Sequence, residues 1–222
     1  MTKPAMNPPA SDLPRGLYLI TNDDPWPILQ NKLHAALSCG VAMMQYRRKH
    51  TLPDQQAAEA AALLAICQQY DVPLLINDDV QLANALGCGV HLGQGDGSLQ
   101  AARALLGAQA MIGRTCHGDI ELAKQAVADG ASYVAFGAVY ASGTKPLAHR
   151  VELSVLQQAK QQLDVPVCVI GGLAVDNVQP LLEYGVDLYA VVGDVLNASV
   201  DQIEARVLQW HSVLQPLTKP VL

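Results

Sequence analysis

Eight short apolar runs alternate with stretches of helix-forming residues along this chain, and this alternation constrains the fold more than any other feature. The runs lack a strict apolar–polar alternation, which is typical of strands that are buried on both faces of a parallel sheet. We predict strands at residues 17–20, 42–46, 73–76, 89–92, 110–112, 132–136, 165–170 and 188–192. Helix formers at helical spacing predict helices at residues 54–70, 99–106, 120–129, 153–162 and 178–184.

Eight strands that are each followed by a helix predict an α/β fold in which a parallel sheet closes into a (β/α)8 TIM barrel. The alternative is a doubly wound open sheet, which would normally carry a glycine-rich fingerprint after its first strand. Residues 21–25, which follow the first predicted strand, contain no glycine. We therefore expect a single barrel domain at residues 16–215, a flexible arm at 1–15 and a short tail at 216–222.

The composition argues against several classes of protein. Half of the 222 residues are hydrophobic and 15% are charged, which suits a large core and not a disordered chain. A net charge of −6 argues against a nucleic-acid surface, and no apolar run approaches the roughly 20 residues of a membrane span. The five cysteines are widely spaced without a C-x-x-C motif, so neither disulfides nor zinc are indicated and a reducing, cytoplasmic compartment is expected. Barrels of this size often pair, so a homo-oligomer is compatible with the sequence, but no interface is identifiable.

A cation cluster lies at the carboxyl end of the second predicted strand, the end at which TIM barrels carry their active sites. Gln45, Arg47 and Lys49 share one parity, which places them on one side of an extended chain, and Arg48 lies among them. Arginine offers a planar fork for phosphate oxygens and lysine a point charge, so this cluster in an acidic protein indicates a small anionic ligand. The alternative is a solvated loop of charges, and Gln45 on an apolar strand argues against it.

Acidic residues follow the third and fourth predicted strands. Asn77, Asp78 and Asp79 end the third, and Asp96 follows the fourth. Because Mg²⁺ is typically held by one or two carboxylates plus substrate phosphates, Asp78 and Asp96 are candidate magnesium ligands. Helix capping is the alternative for the first group, with Asp79 as the N-cap, and Asp96 in its glycine-rich segment is equally typical of a turn.

Glycines and hydroxyl residues after the later strands predict a phosphate site. Gly172 follows the seventh strand and Gly193 the eighth, where many TIM barrels bind phosphate through backbone N–H groups. A lone Gly-Gly pair is also an ordinary turn. The loop after the sixth strand carries Ser142, Thr144 and Lys145, which suit a mobile lid or, alternatively, a plain surface loop.

Two histidines fall near the same end of the predicted barrel. His91 lies within an apolar strand, for which a satisfied core histidine is the commoner explanation. His117 and Thr115 lie in the loop predicted after the fifth strand, where the imidazole could act on a substrate.

Taken in order at the strand ends, these motifs resemble the thiamine phosphate synthase family over about residues 16–207. The matching segments are residues 45–49 (the Q-x-R-x-K motif), 76–79, 89–96, 137–145, 170–177 and 190–192. Members of that family join hydroxymethylpyrimidine diphosphate to a thiazole phosphate with the help of Mg²⁺ and release diphosphate. The resemblance therefore implies a magnesium-dependent transferase whose partners are small molecules and not nucleic acid or a membrane.

The resemblance also implies roles for the candidate residues. Diphosphate would be held by Arg47, Lys49, Asn77 and Lys145, Mg²⁺ by Asp78 and Asp96, the pyrimidine by Gln45, and the thiazole phosphate by Thr144 and Gly172. Ser142 and Gly193 are further candidates for substrate binding. Thr115 retains a hydroxyl where the family often has serine, and it joins Arg47, Lys49 and Lys145 as a candidate catalytic residue. The implied chemistry is dissociative: diphosphate leaves first and the thiazole nitrogen then attacks. Asp194 departs from the family pattern and would place an acid near the phosphate unless it points away or caps the last helix.

Three other functions remain open. A thiazole tautomerase of the sister family works without metal and would use His117 as its base, but it would leave the carboxylates of Asp78 and Asp96 without a purpose. A Schiff-base aldolase would need Lys145 to project from a strand, whereas this lysine lies deep in a loop. A non-catalytic binder of the thiazole or thiamine phosphate is favoured only by Asp194. Metal dependence separates the synthase from all three.

Overall fold

A computed structural model describes residues 13–141 and 150–215 of the chain. Eight strands are found in these ranges: β1 (Gly16–Ile20), β2 (Met43–Tyr46), β3 (Leu74–Asn77), β4 (Gly89–Leu92), β5 (Ile112–His117), β6 (Tyr133–Phe136), β7 (Val167–Ile170) and β8 (Leu188–Val191). The helices of the same ranges are α1 (Trp26–Ser38), α2 (Pro53–Gln69), α3 (Val80–Leu86), α4 (Leu99–Leu106), α5 (Ile120–Ala128), α6 (Leu153–Gln162), α7 (Gln179–Leu182), α8 (Gly193–Leu196) and α9 (Val200–Leu214). The predictions made for residues 1–12, 142–149 and 216–222 concern segments outside the described residues.

The strands close into a parallel barrel in which β1 to β8 follow one another in chain order. β8 completes the ring by pairing with β1, with Tyr18 opposite Ala190. This arrangement confirms the predicted (β/α)8 TIM barrel. Because every strand is parallel, all carboxyl ends lie at one rim, and the polar residues that follow the strands are brought to that rim.

Short capped turns connect several strands to the helices that follow them. The side chain of Asp79 accepts a hydrogen bond from the backbone of Leu82 at 2.8 Å and starts α3. Ser98 and Asp119 cap α4 and α5 in the same way. These caps satisfy backbone N–H groups that would otherwise lack partners, so each loop at the rim is anchored close to a strand end. The capping role considered for Asp79 is confirmed.

The fifth strand differs from its prediction. The apolar run at 110–112 is followed by Gly113, Arg114 and Thr115, which are typical of a loop, yet β5 extends from Ile112 to His117. A Cβ atom at position 113 would lie 2.1 Å from Cζ of Tyr133, so Gly113 is the residue that admits this phenol into the barrel. Thr115 is therefore a strand residue and not a loop residue, because tertiary packing overrides local propensity here.

The core has two layers, one inside the barrel and one between the barrel and its helices. Within β1, Tyr18 and Ile20 face the barrel interior, whereas Leu17 and Leu19 pack against the surrounding helices. Leu13 is also buried in the interior cluster. The interior is a packed core and not a pore, so a ligand can reach only the polar rim.

None of the helices in the described ranges is both long enough and apolar enough to cross a membrane. The five cysteines are unpaired, and four of them are buried. Their burial confirms the expectation that most serve as small apolar fillers.

Candidate active site

The side chains of the cation cluster after β2 do not all have the same role. Arg48 forms an ion pair with Glu59 at 2.8 Å and donates to the carbonyl oxygens of Asn22 and Asp24 at 3.1 and 2.6 Å. It is a structural residue, so it does not share the role expected for the cluster. The backbone N–H of Arg47 donates to Oγ1 of Thr21 at 2.7 Å, which ties the ends of β1 and β2 together.

Lys49 and Asp78 form the central ion pair of the rim, with 2.7 Å between Nζ and Oδ2. The Lys49 side chain is 49% exposed and that of Asp78 27%, so the pair is open to a ligand. Asp78 has a φ of 65°, in the left-handed region that non-glycine residues rarely adopt, and its backbone N–H donates to the His91 carbonyl at 2.9 Å. Such a conformation costs energy and is commonest at functional sites.

Asp96 lies beside Asp78, as predicted for two candidate metal ligands. Burial pulls the pKa of Asp78 upward, but the hydrogen bond and the charge of Lys49, with a further contribution from the neighbouring Asp96, outweigh it and hold the pKa below its usual range. The Asp96 carboxylate also accepts from the backbone of Gly93 at 3.0 Å, and a Cβ atom at position 93 would lie 2.5 Å from that carboxylate. The two acids are thus held next to each other at the rim.

Within residues 13–141 and 150–215, no group of three or more His, Cys, Asp and Glu side chains is placed to hold a metal ion. Magnesium in proteins is commonly held by one or two carboxylates, with water and substrate phosphate oxygens completing its shell. Asp78 and Asp96 have the right chemistry for such an ion.

A cleft of about 350 Å³ opens at the carboxyl ends of β2 and β3. Four of the predicted site residues line it: Arg47, Lys49, Asn77 and Asp78. Gln45, Thr115, Gly172 and Gly193 do not line this cleft. The structure therefore brings Arg47, Lys49, Asn77 and Asp78 together in one pocket, whereas Asp96, like the other four residues, lies outside its lining.

A chain of hydrogen-bonded side chains crosses the barrel interior beneath the rim. Gln45, which is buried, donates its amide nitrogen to the hydroxyl of Tyr18, and the Tyr18 and Tyr133 hydroxyls are 3.0 Å apart. The Tyr133 hydroxyl is 2.8 Å from Nδ1 of His91, whose Nε2 is 2.9 Å from Oγ1 of Thr115. Two predicted site residues, Gln45 and Thr115, are thus the ends of one network.

The ionisation states of this network follow from its burial. Burial lowers the pKa of His91 to about 4, with smaller and opposing contributions from Asp78 and Arg114, so the ring is neutral at neutral pH. Burial also raises the pKa of both Tyr18 and Tyr133, so both phenols keep their protons. The expectation of a satisfied histidine is confirmed for His91, but its partner is a candidate site residue.

Sequence reasoning missed Tyr18 and Tyr133. Each lies in an apolar run, which by itself predicts only strand core. Their contact joins residues 115 positions apart, and it depends on the barrel having closed. The one local signal was Gly113, a glycine inside a strand, which often marks the close approach of another group.

His117 ends β5 with an exposed side chain and a φ of 53°. Its carbonyl accepts from the backbone of Gly137 at 3.0 Å, which ties β5 to the start of the loop after β6. The imidazole itself makes no hydrogen bond with a described residue, so His117 is accessible at the rim.

The loop after β7 is shaped for a close approach at Gly172. This residue has a φ of 65°, and a Cβ atom there would lie 2.5 Å from the Ala141 carbonyl oxygen. Asn177 braces the loop by donating to the Gly172 carbonyl at 2.8 Å and accepting from the backbone of Ala174 at 2.9 Å. Gly193 begins α8. Ser142, Thr144 and Lys145 lie outside the described residues, and their roles stay predictions.

The Asp194 carboxylate is engaged by side chains of α9 and by the loop after β7. Its carboxylate accepts from Arg206 at 2.6 Å and from the indole N–H of Trp210 at 2.8 Å, both on α9. The backbone of Val175 lies at 3.4 Å from the same carboxylate. The side chain is 7% exposed, so its charge is neutralised inside the protein.

Comparisons with known proteins identify the family to which this chain belongs. The model of the thiamine monophosphate synthase family matches residues 17–195. Thiamine phosphate pyrophosphorylase from Pyrococcus furiosus is 25% identical with a TM-score of 0.80, and the match covers 92% of this chain and 97% of that one. The pyrophosphorylase from Bacteroides thetaiotaomicron is 17% identical with a TM-score of 0.65 and coverage of 92% and 100%.

KGPDC from Streptococcus mutans is 14% identical with a TM-score of 0.67 and coverage of 94% and 100%. At these lower identities the second and third structures support the fold alone. The family match, by contrast, spans far more than half of the chain, from β1 into α8. This protein is therefore a member of the thiamine monophosphate synthase family.

Proposed function

We propose that this protein is a thiamine phosphate synthase. It joins 4-amino-2-methyl-5-hydroxymethylpyrimidine diphosphate to 4-methyl-5-(2-phosphoethyl)thiazole, or to the carboxylated form of that thiazole, and releases diphosphate. From the carboxylated form CO₂ is lost as well. The observation that carries the proposal is the Lys49–Asp78 ion pair at 2.7 Å, with Asp96 beside it, in a cleft that Arg47 and Asn77 also line. Cations and an acid at one strand-end cleft, with a second acid beside the first, suit a diphosphate that binds with a divalent metal.

The residues that we assign to the substrates and the metal fall into four groups. Arg47, Lys49, Asn77 and Lys145 hold the diphosphate, Asp78 and Asp96 hold Mg²⁺, and Gln45 and Thr115 face the pyrimidine diphosphate. Ser142, Thr144, Gly172 and Gly193 receive the thiazole phosphate. Bound Mg²⁺ supplies positive charge to the leaving diphosphate.

The reaction breaks the bond between the pyrimidine methylene carbon and the diphosphate oxygen, whose electron pair leaves with diphosphate. The thiazole nitrogen then donates its electron pair to that methylene carbon and forms the new C–N bond. The chain supplies cations, not a nucleophile: Arg47 and Lys49 stabilise the charge that develops on the leaving group. The remaining contribution is to hold both substrates in reacting geometry.

The test is to mix purified protein with both substrates and to measure thiamine phosphate with Mg²⁺ and with EDTA. We expect product that depends on Mg²⁺ and an Asp78→Ala variant that is slower by on the order of 100-fold, or about 2.7 kcal/mol in the barrier. Asp119→Ala is the matched control, since Asp119 follows β5 but only caps α5. A wild-type protein that makes no product under any condition would refute the proposal.

A metal-independent thiazole tautomerase is the second candidate. The observation that favours it is the exposed imidazole of His117 at the end of β5, on a residue with a left-handed φ of 53°. The same protein preparation decides between the two. Conversion of the thiazole isomer that persists in EDTA, without thiamine phosphate formation, would identify the tautomerase.

A further inference from the structure

The hydrogen-bonded chain inside the barrel has a direction that its chemistry determines. The amide nitrogen of Gln45 can only donate, so the Tyr18 hydroxyl accepts from it. Tyr18 has one proton, and its other partner among the described residues is the Tyr133 hydroxyl at 3.0 Å. Tyr133 therefore accepts from Tyr18 and gives its own proton to Nδ1 of His91 at 2.8 Å.

The direction continues through the imidazole. Because Nδ1 of His91 accepts, the ring carries its proton on Nε2, which donates to Oγ1 of Thr115 at 2.9 Å. This is the only hydrogen bond that Oγ1 makes with a residue in the described ranges. The Thr115 hydroxyl therefore has no acceptor for its own proton among the described residues, and the network ends in a donor that is available to a ligand.

The opposite direction leaves a buried group unsatisfied. If Thr115 donated to Nε2 of His91, Nδ1 of His91 would carry the ring proton and donate it to the Tyr133 hydroxyl. Tyr133 would then donate to the Tyr18 hydroxyl. The Tyr18 hydroxyl proton would then face the amide N–H of Gln45, with no acceptor, in a fully buried position. Burying two opposed donors is costly, so the direction from Gln45 to Thr115 is the stable one.

The barrel gives up ordinary packing to build this network. Branched apolar side chains usually fill a TIM barrel, whereas in this one two phenols, an amide and an imidazole share the interior with apolar residues such as Ile20, Met43 and Leu188. Gly113 carries no side chain, and a Cβ atom there would collide with Tyr133 at 2.1 Å. The rings of His91 and Tyr133 stack with centroids 5.6 Å apart and planes inclined by 30°, which fixes the orientation of the imidazole.

We propose that Tyr18, Tyr133 and His91 are positioning residues that keep the Thr115 hydroxyl as a hydrogen-bond donor toward the ligand. This role rests on the proposed function, in which Thr115 faces the pyrimidine diphosphate. The group that meets Thr115 must then be an acceptor atom of that substrate. None of the three positioning residues needs to touch the substrate, because each acts through the next.

The direct test reads the tautomer of His91 by nitrogen NMR on the ligand-free protein. A His91→Gln variant identifies which imidazole signals belong to this residue. We expect an unprotonated Nδ1 and a protonated Nε2 in the wild type, and a mixture of the two tautomers in Tyr133→Phe, which has no proton to give to Nδ1. A wild-type ring that is protonated on Nδ1 would overturn the proposal.

A double-mutant cycle tests the same network through catalysis. Tyr133→Phe should lower kcat by about tenfold, the worth of one oriented hydrogen bond, while KM changes little. In a Thr115→Val background, which has no hydroxyl to orient, the same change should have almost no effect. Thr115→Ser keeps the hydroxyl and should restore sensitivity to Tyr133→Phe. If the losses in kcat of the two single variants simply add in the double variant, the proposed positioning role of the network is refuted.

Tyr189→Phe is the matched control. Tyr189 is as buried as Tyr133 and lies in β8, but its hydroxyl has no hydrogen-bond partner among the described residues. Removing that hydroxyl should change neither kcat nor the His91 signals. If the wild type forms no thiamine phosphate, the kinetic cycle is silent and the proposed function fails, but the NMR measurement still decides the direction of the network.

Discussion

Asp194 anchors the start of α8 to α9, and its removal should destabilise the protein without touching the substrate site. Its carboxylate is 7% exposed and accepts from Arg206 at 2.6 Å and from the indole of Trp210 at 2.8 Å. Trp210 is fully buried, so no water can replace the lost acceptor. Asp194→Ala therefore leaves one buried N–H unpaired and one guanidinium without its counter-charge.

The magnitude follows from these two losses. An unsatisfied buried donor costs about 1–3 kcal/mol, and the charge-assisted bond to the partly exposed Arg206 adds to it, so we expect a loss of about 3 kcal/mol in total. For a domain of this size that loss lowers Tm by roughly 6–12 °C. Asp194→Asn keeps an oxygen for Trp210 but loses the charge, and it should cost about 1 kcal/mol.

Equilibrium unfolding in urea, monitored by circular dichroism, measures the difference in the free energy of unfolding. The control is Asp176→Ala, because Asp176 is exposed and makes no hydrogen bond or ion pair with a described residue; its loss should stay within about 0.5 kcal/mol. If Asp194→Ala were as stable as the wild type and instead bound the thiazole phosphate more tightly, the carboxylate would be facing the ligand, and our interpretation of its contacts would be wrong.

Two further predictions concern residues that hold the loops in place. Burial raises the pKa of Asp24, but the hydrogen bond with Lys32 at 2.6 Å and the charge of that lysine bring the pKa below its usual value. The resulting stabilisation of the folded state is present above about pH 4 and is lost as the pH falls through the folded-state pKa. Asp24→Asn should therefore flatten the acid limb of a plot of unfolding free energy against pH, and an unchanged slope would contradict this. Arg103 donates to the carbonyl oxygens of residues 107, 108, 110 and 130 and to Ser132. Because lysine lacks the planar guanidinium, Arg103→Lys should lower the free energy of unfolding in urea by about 2 kcal/mol. A loss below about 0.5 kcal/mol would contradict this prediction.

The barrel could be predicted from sequence because each of its units is encoded locally. An apolar run, a capping residue and a helix-forming stretch recur around the ring, and no long-range contact is needed to recognise them. The charged rim could be predicted for the same reason: Arg47, Lys49 and Asp78 follow directly on apolar runs, and parallel strands bring their ends to one side. The ion pair between Lys49 and Asp78 at 2.7 Å fulfils the expected proximity of the two groups.

The division of work within the cation cluster could not be predicted. Arg47, Arg48 and Lys49 differ little as sequence, and only parity separated the middle residue from its neighbours. The partners of Arg48 are Glu59 on α2 and two carbonyls of the loop after β1, which the chain brings together only in the finished barrel. A charge run at a strand end therefore predicts a site but not which of its members serve it.

The interior network escaped prediction because the pairing of buried polar atoms depends on register between strands that are distant in sequence. A tyrosine in an apolar run is ordinary core, and Tyr189 shows that this barrel does bury a phenol without any partner for its hydroxyl among the described residues. Partners for Tyr18 and Tyr133 are therefore not an automatic result of burial. They require Gly113 to leave space and His91 to be inclined at 30° to the Tyr133 ring. Such specific geometry, at a cost in apolar packing, is what separates an oriented network from tyrosines that merely fill a core.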